Sequence, residues 1–113
     1  MTEPVCEVII TADDEPWLLA FTRSLVEQRL AACGQHSPIR SIYRWNGELC
    51  DDREVRVAVH TRQSLVSEII ERVRAEHAYE VPCVLALPVL TGNPDYLAWV
   101  VESTTDPPRD QPL

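Results

Sequence analysis

The chain contains no lysine: all ten of its basic residues are arginine, against 18 acidic residues among 113. Schiff-base chemistry and a phosphate-binding P-loop both need a lysine, so both are excluded. The net charge of −8 also argues against nucleic acid as a partner, because binding to its backbone depends on cationic side chains that neutralise phosphates. An acidic surface is better suited to cations.

The chain also has no apolar run of roughly 20 residues, the length that spans a bilayer. Residues 1–4 carry an acid and no basic segment of the kind that begins a secretory signal. We therefore expect no membrane association and a cytoplasmic location. The four cysteines, Cys6, Cys33, Cys50 and Cys83, form no C-x-x-C pair, and we predict free thiols rather than disulfides.

A length of 113 residues with 45% hydrophobic residues fits one domain with one core. We predict that this domain covers residues 1–102. Residues 103–113 are rich in proline and polar side chains, which is typical of a disordered tail.

The apolar patterns predict four strands and three helices. A β-branched run at 5–11 predicts the first strand, and an apolar stripe across 17–32 predicts the first helix, ended by residues 33–38. Asn46-Gly47 favours a type I′ turn between a strand that begins at Ile39 and a second arm that alternates up to His60.

The second half of the chain repeats this organisation. Ser64 is expected to cap a helix, residues 83–89 have the pattern of a strand buried on both faces, and Asn93-Pro94 begins the last helix. The order β-α-β-β-α-β plus a C-terminal helix predicts an α+β fold of the split βαβ type, with helices on one face of the sheet. Because the strands around Ile10 and Leu87 are apolar on both sides, a second chain is expected to cover the other face.

A series of motifs recurs in order along the chain. They are Thr11-Ala12-x-x-Glu15, Leu30-Ala31-Ala32-Cys33, Tyr43-x-Trp45-x-Gly47, Glu54-Val55, His77-x-Tyr79-x-x-Pro82 and Leu87-Pro88-Val89-x-x-Gly92-x-x-x-Tyr96-Leu97-x-Trp99. Over about residues 5–102 the chain resembles the CutA divalent-cation tolerance proteins. The resemblance implies a ferredoxin-like sandwich that assembles as a homotrimer, an architecture related to PII signalling proteins, a role in the response to copper and other divalent metal ions, and no enzymatic activity.

The resemblance also indicates metal ligands. The family's proposed ligands include a cysteine at the position of Ile10 and a His-His pair at the positions of Glu76 and His77, so this chain keeps only His77. We predict that His77 and Glu76 bind a divalent ion, copper or zinc, because imidazole with carboxylate suits these ions, whereas Cu(I) prefers sulfur. The alternative is structural: an imidazole after a helix often caps its C-terminus.

Five residues are predicted to line a cleft between subunits: Trp45, Glu54, His60, Tyr79 and Cys83. Such a cleft could hold a cation or a small ligand. In the second case the protein would be a PII-like regulatory trimer that binds a metabolite and signals to a partner protein. His60 and Cys83 could also form a metal site with a sulfur ligand, which suits softer ions, but only if the strands that carry them are neighbours in the sheet.

A thiol enzyme is the third possibility. Cys33 or Cys83 could be a nucleophile, with His60 or His77 as base. No oxyanion-hole motif accompanies these residues, so we predict a binding protein and not an enzyme.

Overall fold

The computed structural model describes residues 3–105. Within them the predicted element order is confirmed, with one short 3₁₀ turn (Gln63–Leu65) added before the second helix. The elements are β1 (Val5–Ala12), α1 (Glu15–Glu27), β2 (Cys33–Trp45), β3 (Glu48–Arg62), α2 (Val66–Glu76), β4 (Val84–Pro88) and α3 (Pro94–Ser103). None of the helices described is long and apolar enough to cross a membrane.

The four strands form one antiparallel sheet in the order β2-β3-β1-β4. β1 pairs with β3 on one side and with β4 on the other. Each β-α-β unit is therefore split by a strand inserted between its two parallel strands, as the sequence predicted.

The core lies between the sheet and helices α1 and α2. Alternate residues of β1, Val8 and Ile10 among them, face the helices and are fully buried, together with Val57 and Val59 of β3. The helices contribute apolar side chains at helical spacing: Leu18, Phe21, Leu25, Ile69 and Val73. Trp17 packs against this core within the same chain.

The opposite face of the sheet, here called the open face, carries Glu7 and Ile9 of β1 and Leu85 and Leu87 of β4, which pair with them in register. Helix α3 covers only one end, where Val100 packs with the start of β1 and with Ala32. Leu85 remains 59% exposed and Leu87 46% exposed. In the single chain β4 is an edge strand that is largely exposed, so its predicted burial on both faces stays a prediction about the assembled protein.

The β2-β3 hairpin extends beyond the helices. Its turn has positive φ angles of 50° at Asn46 and 77° at Gly47, which confirms the type I′ turn. The radius of gyration is 15.4 Å, against about 13 Å for a compact domain of this length. Near the hairpin tip Ile42 and Leu49 are 67% and 73% exposed.

Helix α1 is shorter than predicted, and β2 is longer. Arg29 has φ of 61°, and the backbone N–H groups of Leu30 and Ala31 both bond to the carbonyl of Leu25. This left-handed turn ends the helix five residues early. Residues 33–38, predicted to break the helix, are the first part of β2; Pro38 is tolerated there because β2 is an edge strand.

Gly34 lies in β2 because it permits close packing. A Cβ at this position would overlap Cγ2 of Thr22 and lie 3.1 Å from Cγ2 of Val57. Thr22 is buried and its hydroxyl donates to the carbonyl of Leu18 at 2.8 Å, so it has little room to move. Helix α1 therefore approaches the sheet at this glycine.

We expect Gly34→Ala to lower the free energy of unfolding by about 1–3 kcal/mol, the usual cost of overpacking a core. Urea denaturation measures it. Gly92→Ala is the matched control, because the nearest side-chain atom to its new Cβ would lie at an ordinary 3.7 Å. Equal unfolding midpoints for the two variants would contradict the packing argument.

One further local prediction needs correction. Ser64 does not cap a helix: it lies in the 3₁₀ turn, and its hydroxyl donates to a carboxylate oxygen of Glu3. The predicted domain bounds of 1–102 stay a prediction. Helix α3 runs to Ser103, and the buried side chain of Thr104 accepts a hydrogen bond from Arg62. Residues 106–113 of the predicted tail lie outside the described residues. The predicted caps of α3 by Asn93 and Pro94 are confirmed, and all four cysteines are free.

Candidate functional site

A cleft of about 680 Å³ opens between the hairpin, the end of β1 and the segment that leads into β4. It contains four of the five residues predicted to share a cleft. Its lining residues are Thr11, Ser41, Ile42, Tyr43, Trp45, Glu54, Tyr79, Glu80, Val81 and Cys83. None of these ten is basic.

Glu54 and Tyr79 form the polar centre of the cleft. The hydroxyl of Tyr79 donates to Oε2 of Glu54 at 2.7 Å, and Glu54 is only 9% exposed. Burial and the neighbouring carboxylate raise the pKa of Tyr79 well above its ordinary value. Tyr79 therefore stays a neutral donor to a nearly buried carboxylate, whose remaining lone pairs are available to a ligand.

The hairpin supplies a wall that combines aromatic and acidic groups. The hydroxyl of Tyr43 donates to Asp52 at 2.5 Å, and this bond raises the pKa of Tyr43 to about 12. Trp45, two residues further along β2, is 43% exposed. The sequence carried a signal for this wall, because Ser41, Tyr43 and Trp45 alternate along one strand and so share a face.

His77 is fixed at the end of α2 by both ring nitrogens. Nε2–H donates to the carbonyl of Thr11 at 2.8 Å, while Nδ1 accepts the backbone N–H of Tyr79 at 3.0 Å. The ring lies against Trp17 and Tyr79, with centroids 5.0 and 4.6 Å away. This arrangement holds a neutral imidazole with no free lone pair, and it ties the segment after α2 to the end of β1.

Glu76, the other predicted metal ligand, is turned toward its own helix. Its two carboxylate oxygens accept from Arg72 at 2.7 and 3.0 Å, and this bond holds the pKa of Glu76 below its ordinary value. Among residues 3–105 no three His, Cys, Asp or Glu side chains are grouped to hold a metal ion. The geometry favours the structural role for His77, and metal binding by this pair stays a prediction.

His60 was predicted to lie in the cleft, and the structure places it elsewhere. It projects from the open face of β3 toward Glu7 of β1, Cys33 of β2 and Tyr96 of α3. The proposed His60–Cys83 site is not formed, because β1 separates β3 from β4. Cys83 is exposed at the cleft instead.

Comparison with known proteins gives a consistent result. A family model described as "CutA1 divalent ion tolerance protein" matches residues 6–103. The "Divalent-cation tolerance protein CutA" of Thermus thermophilus is 43% identical over 98 residues, which are 86% of this chain and 95% of that protein. "Protein CutA" of Mus musculus is 45% identical over 101 residues, 88% of this chain but only 57% of the mouse protein.

A solved structure agrees in fold. The crystal structure of CutA1 from Oryza sativa superposes with a TM-score of 0.88 at 36% identity, covering 94% of this chain and 98% of that one. The likeness thus extends over all seven strands and helices.

Proposed function

The chain belongs to the CutA1 divalent ion tolerance protein family, and from that premise we propose that it is a homotrimeric, non-enzymatic protein that binds a divalent cation in the Glu54–Tyr79 cleft. One observation carries the proposal: a nearly buried carboxylate lies at the centre of a cleft with no basic lining residue. Negative charge in a concave, partly apolar site raises the local concentration of cations. The cytoplasmic location predicted from the sequence stays a prediction.

The ligand chemistry of the cleft suits a hard or borderline divalent ion. Glu54 and Glu80 offer carboxylate oxygens, and Cys83 offers a thiol that becomes a ligand when it is deprotonated. One subunit does not complete a metal site by itself, since no group of three such ligands exists among residues 3–105. We propose that a neighbouring subunit, or water, supplies the remaining ligands.

The trimer is supported by the uncovered apolar surface of the chain. Leu85 and Leu87 on the open face, and Trp45 and Ile42 on the hairpin, are all substantially exposed. Leu85 and Leu87 lie on the same face of β4, and neighbouring exposed apolar side chains of this kind commonly mark a protein–protein contact. The hairpin wall belongs to the cleft as well, so its contact with a second subunit would place the cleft at a subunit boundary.

We expect Zn²⁺ and Cu²⁺, titrated calorimetrically into the chelator-stripped full chain, to bind wild type at about pH 7.5. Glu54→Gln keeps an oxygen that accepts from Tyr79 but removes the charge, so the affinity should fall about tenfold or more. His77→Ala is the matched comparison: a structural His77 leaves the affinity unchanged although the fold becomes less stable. If His77→Ala loses metal binding and Glu54→Gln keeps it, the metal site is the predicted His77–Glu76 pair and not the cleft.

The pH dependence of the metal affinity is a second test, independent of the substitutions at Glu54 and His77, that distinguishes the Glu54 cleft from the His77–Glu76 pair. Between pH about 7.5 and 5.5 ordinary imidazoles become protonated, whereas ordinary carboxylates stay ionised. In a Cys83→Ser variant, which removes the thiol, a site built on the carboxylates of Glu54 and Glu80 keeps most of its affinity over this interval. An imidazole site loses its affinity, because the protonated ring has no lone pair. Undetectable binding of both ions to wild type would contradict the cation proposal.

The alternative of a PII-like metabolite-binding regulator is favoured by one observation. The cleft has aromatic walls, Tyr43, Trp45 and Tyr79, and its volume falls in the range of small-molecule pockets. Its acidic lining would repel the phosphates of a nucleotide. We therefore expect no heat when ATP is titrated alone. Heat with ATP and none with metal ions would support the regulator and overturn the cation proposal.

A further inference from the structure

The Glu54–Tyr79 cleft is much larger than a metal ion needs. Its volume is about 680 Å³, whereas one water molecule in the liquid occupies about 30 Å³. A divalent ion with a few waters would fill only a fraction of this space. Volumes of this size are typical of sites that hold small organic molecules, so the cleft has room for a cation that carries an organic body.

Glu54 places a negative charge without a counter-ion in the cleft. Among residues 3–105 no salt bridge includes Glu54, and its one side-chain hydrogen bond comes from Tyr79 to Oε2. No fully buried side-chain oxygen in this part of the chain lacks a partner, so Oε1 of Glu54 is open to solvent. A nearly buried carboxylate without a counter-ion is costly, and a cation that enters the cleft relieves this cost.

Tyr43 supplies an aromatic face that no other ring covers. None of the aromatic pairs among residues 3–105 includes Tyr43, and the arginine that lies over a ring there is Arg72, on Phe21. The bond to Asp52 and, to a smaller extent, the charge of Glu54 raise the pKa of Tyr43 to about 12. The phenol therefore stays neutral near Glu54, and the negative face of a neutral ring attracts cations.

An ammonium ion makes fewer demands on the cleft than a metal ion. A zinc ion takes three or four protein ligands, and residues 3–105 contain no such group of His, Cys, Asp or Glu side chains. An alkylammonium ion needs one carboxylate to accept from its N–H groups and an aromatic or apolar surface for its carbon atoms. Glu54 offers the first, and Tyr43 and Val81 offer the second.

We propose that the cleft binds organic ammonium ions, with the charged nitrogen at Glu54 and the apolar body against Tyr43. This inference rests on the cation preference of the proposed function and names a second class of cation for the same cleft. Glu80 also lines the cleft, so a ligand with its own carboxylate, such as an amino acid, is repelled. The ligand class is therefore amines that carry no carboxylate.

The groups that hold the nitrogen lie away from the hairpin tip. Glu54 pairs in register with Ile39, six positions along β2 from Trp45, and Tyr79 bonds to it from the segment after α2. Trp45 and Ile42 are the hairpin residues assigned to the contact with a second subunit, and the ammonium site uses neither. The inference thus needs the inner end of the cleft and not the surface that the proposed trimer covers.

The test titrates 2-phenylethylamine calorimetrically into the chelator-stripped full chain at pH about 7.5, where alkylamines are protonated. 2-Phenylethanol is its neutral analogue, and free phenylalanine adds a carboxylate to the same skeleton. We expect the amine to bind at least tenfold more tightly than either of them. Equal affinities for the amine and the alcohol would overturn the proposal, because they would show an apolar cleft that does not recognise a cation.

Two positions locate the bound amine. Glu54→Gln keeps an oxygen that accepts from Tyr79 and removes the charge, so the amine affinity should fall about tenfold or more. Tyr43→Leu keeps an apolar side chain without the aromatic face and should weaken the amine about two- to fivefold, the range of an exposed cation–π contact, whereas Tyr43→Phe should bind like wild type. Where Glu54→Gln does not fold, the Tyr43 pair decides, and equal affinities of its two variants would overturn the proposal.

Titration of Zn²⁺ into the same protein keeps this inference separate from the proposed function. Amine binding without metal binding would support the ammonium site and remove the divalent ion. Metal binding without amine binding would overturn the ammonium site and leave the divalent ion in place. Where both cations bind, saturation with Zn²⁺ should weaken the amine at least tenfold, because both need the carboxylate of Glu54.

Discussion

Leu85→Asp is expected to convert the assembled protein into single chains. Leu85 is 59% exposed on the open face of β4, opposite Ile9 of β1. The proposed trimer would bury this surface, and the leucine would then contribute about 2 kcal/mol through the hydrophobic effect. An aspartate would lose that energy and add the cost of an unpaired charge.

The effect is multiplied because each trimer contains the substitution three times. At about 3 kcal/mol per subunit, the loss is roughly 9 kcal/mol per trimer, or about six powers of ten in the assembly constant. Sedimentation velocity at micromolar concentration should show wild type at three chains and the variant at one. Leu19→Asp is the control, because Leu19 is similarly exposed, at 48%, but lies on α1, on the other side of the sheet. Equal sedimentation of Leu85→Asp and wild type would contradict an interface on the open face.

The hairpin could be predicted in more detail than the rest of the fold. A two-residue turn at Asn46-Gly47 fixes the register of both arms, so each residue of β2 has a defined partner in β3. The pairing of Cys33 with His60 follows from that turn alone, provided that β2 extends back to residue 33. The sequence analysis did not predict this pairing, because Gly34 and Pro38 are typical of a break between elements and the strand was expected to begin at Ile39. The need for a glycine within the strand becomes clear only from its close contact with Thr22.

Four of the five residues predicted for the cleft do line it, because the segments that carry them are adjacent in the fold. Glu54 and His60 face the same side of β3, but six residues of strand separate them by roughly 20 Å. The cleft of the single chain therefore includes Glu54 and not His60. The partners of His77 could not be predicted either, since Thr11 is distant in the sequence and meets the ring only once β1 and α2 have packed.

Trp45 and Trp17 should respond in opposite ways to truncation. Trp45 lies beside the hairpin turn and is 43% exposed, whereas Trp17 stacks on Phe21 at 4.9 Å against the core of its own chain. A large aromatic exposed beside a turn gains its stabilising contacts from a second surface, and such anchors often dominate an interface.

We expect Trp45→Ala to raise the concentration at which the trimer dissociates by at least about tenfold. A loss of roughly 1 kcal/mol at each of three contacts raises the trimer dissociation constant about a hundredfold, and the dissociation concentration varies as the square root of that constant. Trp17→Ala should leave that concentration nearly unchanged and instead lower the free energy of unfolding by about 2–4 kcal/mol, because it leaves a cavity beside Phe21. Sedimentation over a dilution series measures the first quantity, and urea denaturation at fixed high protein concentration measures the second. If both variants dissociate at the same concentration, Trp45 is not between subunits, and the cleft that it lines belongs to one chain.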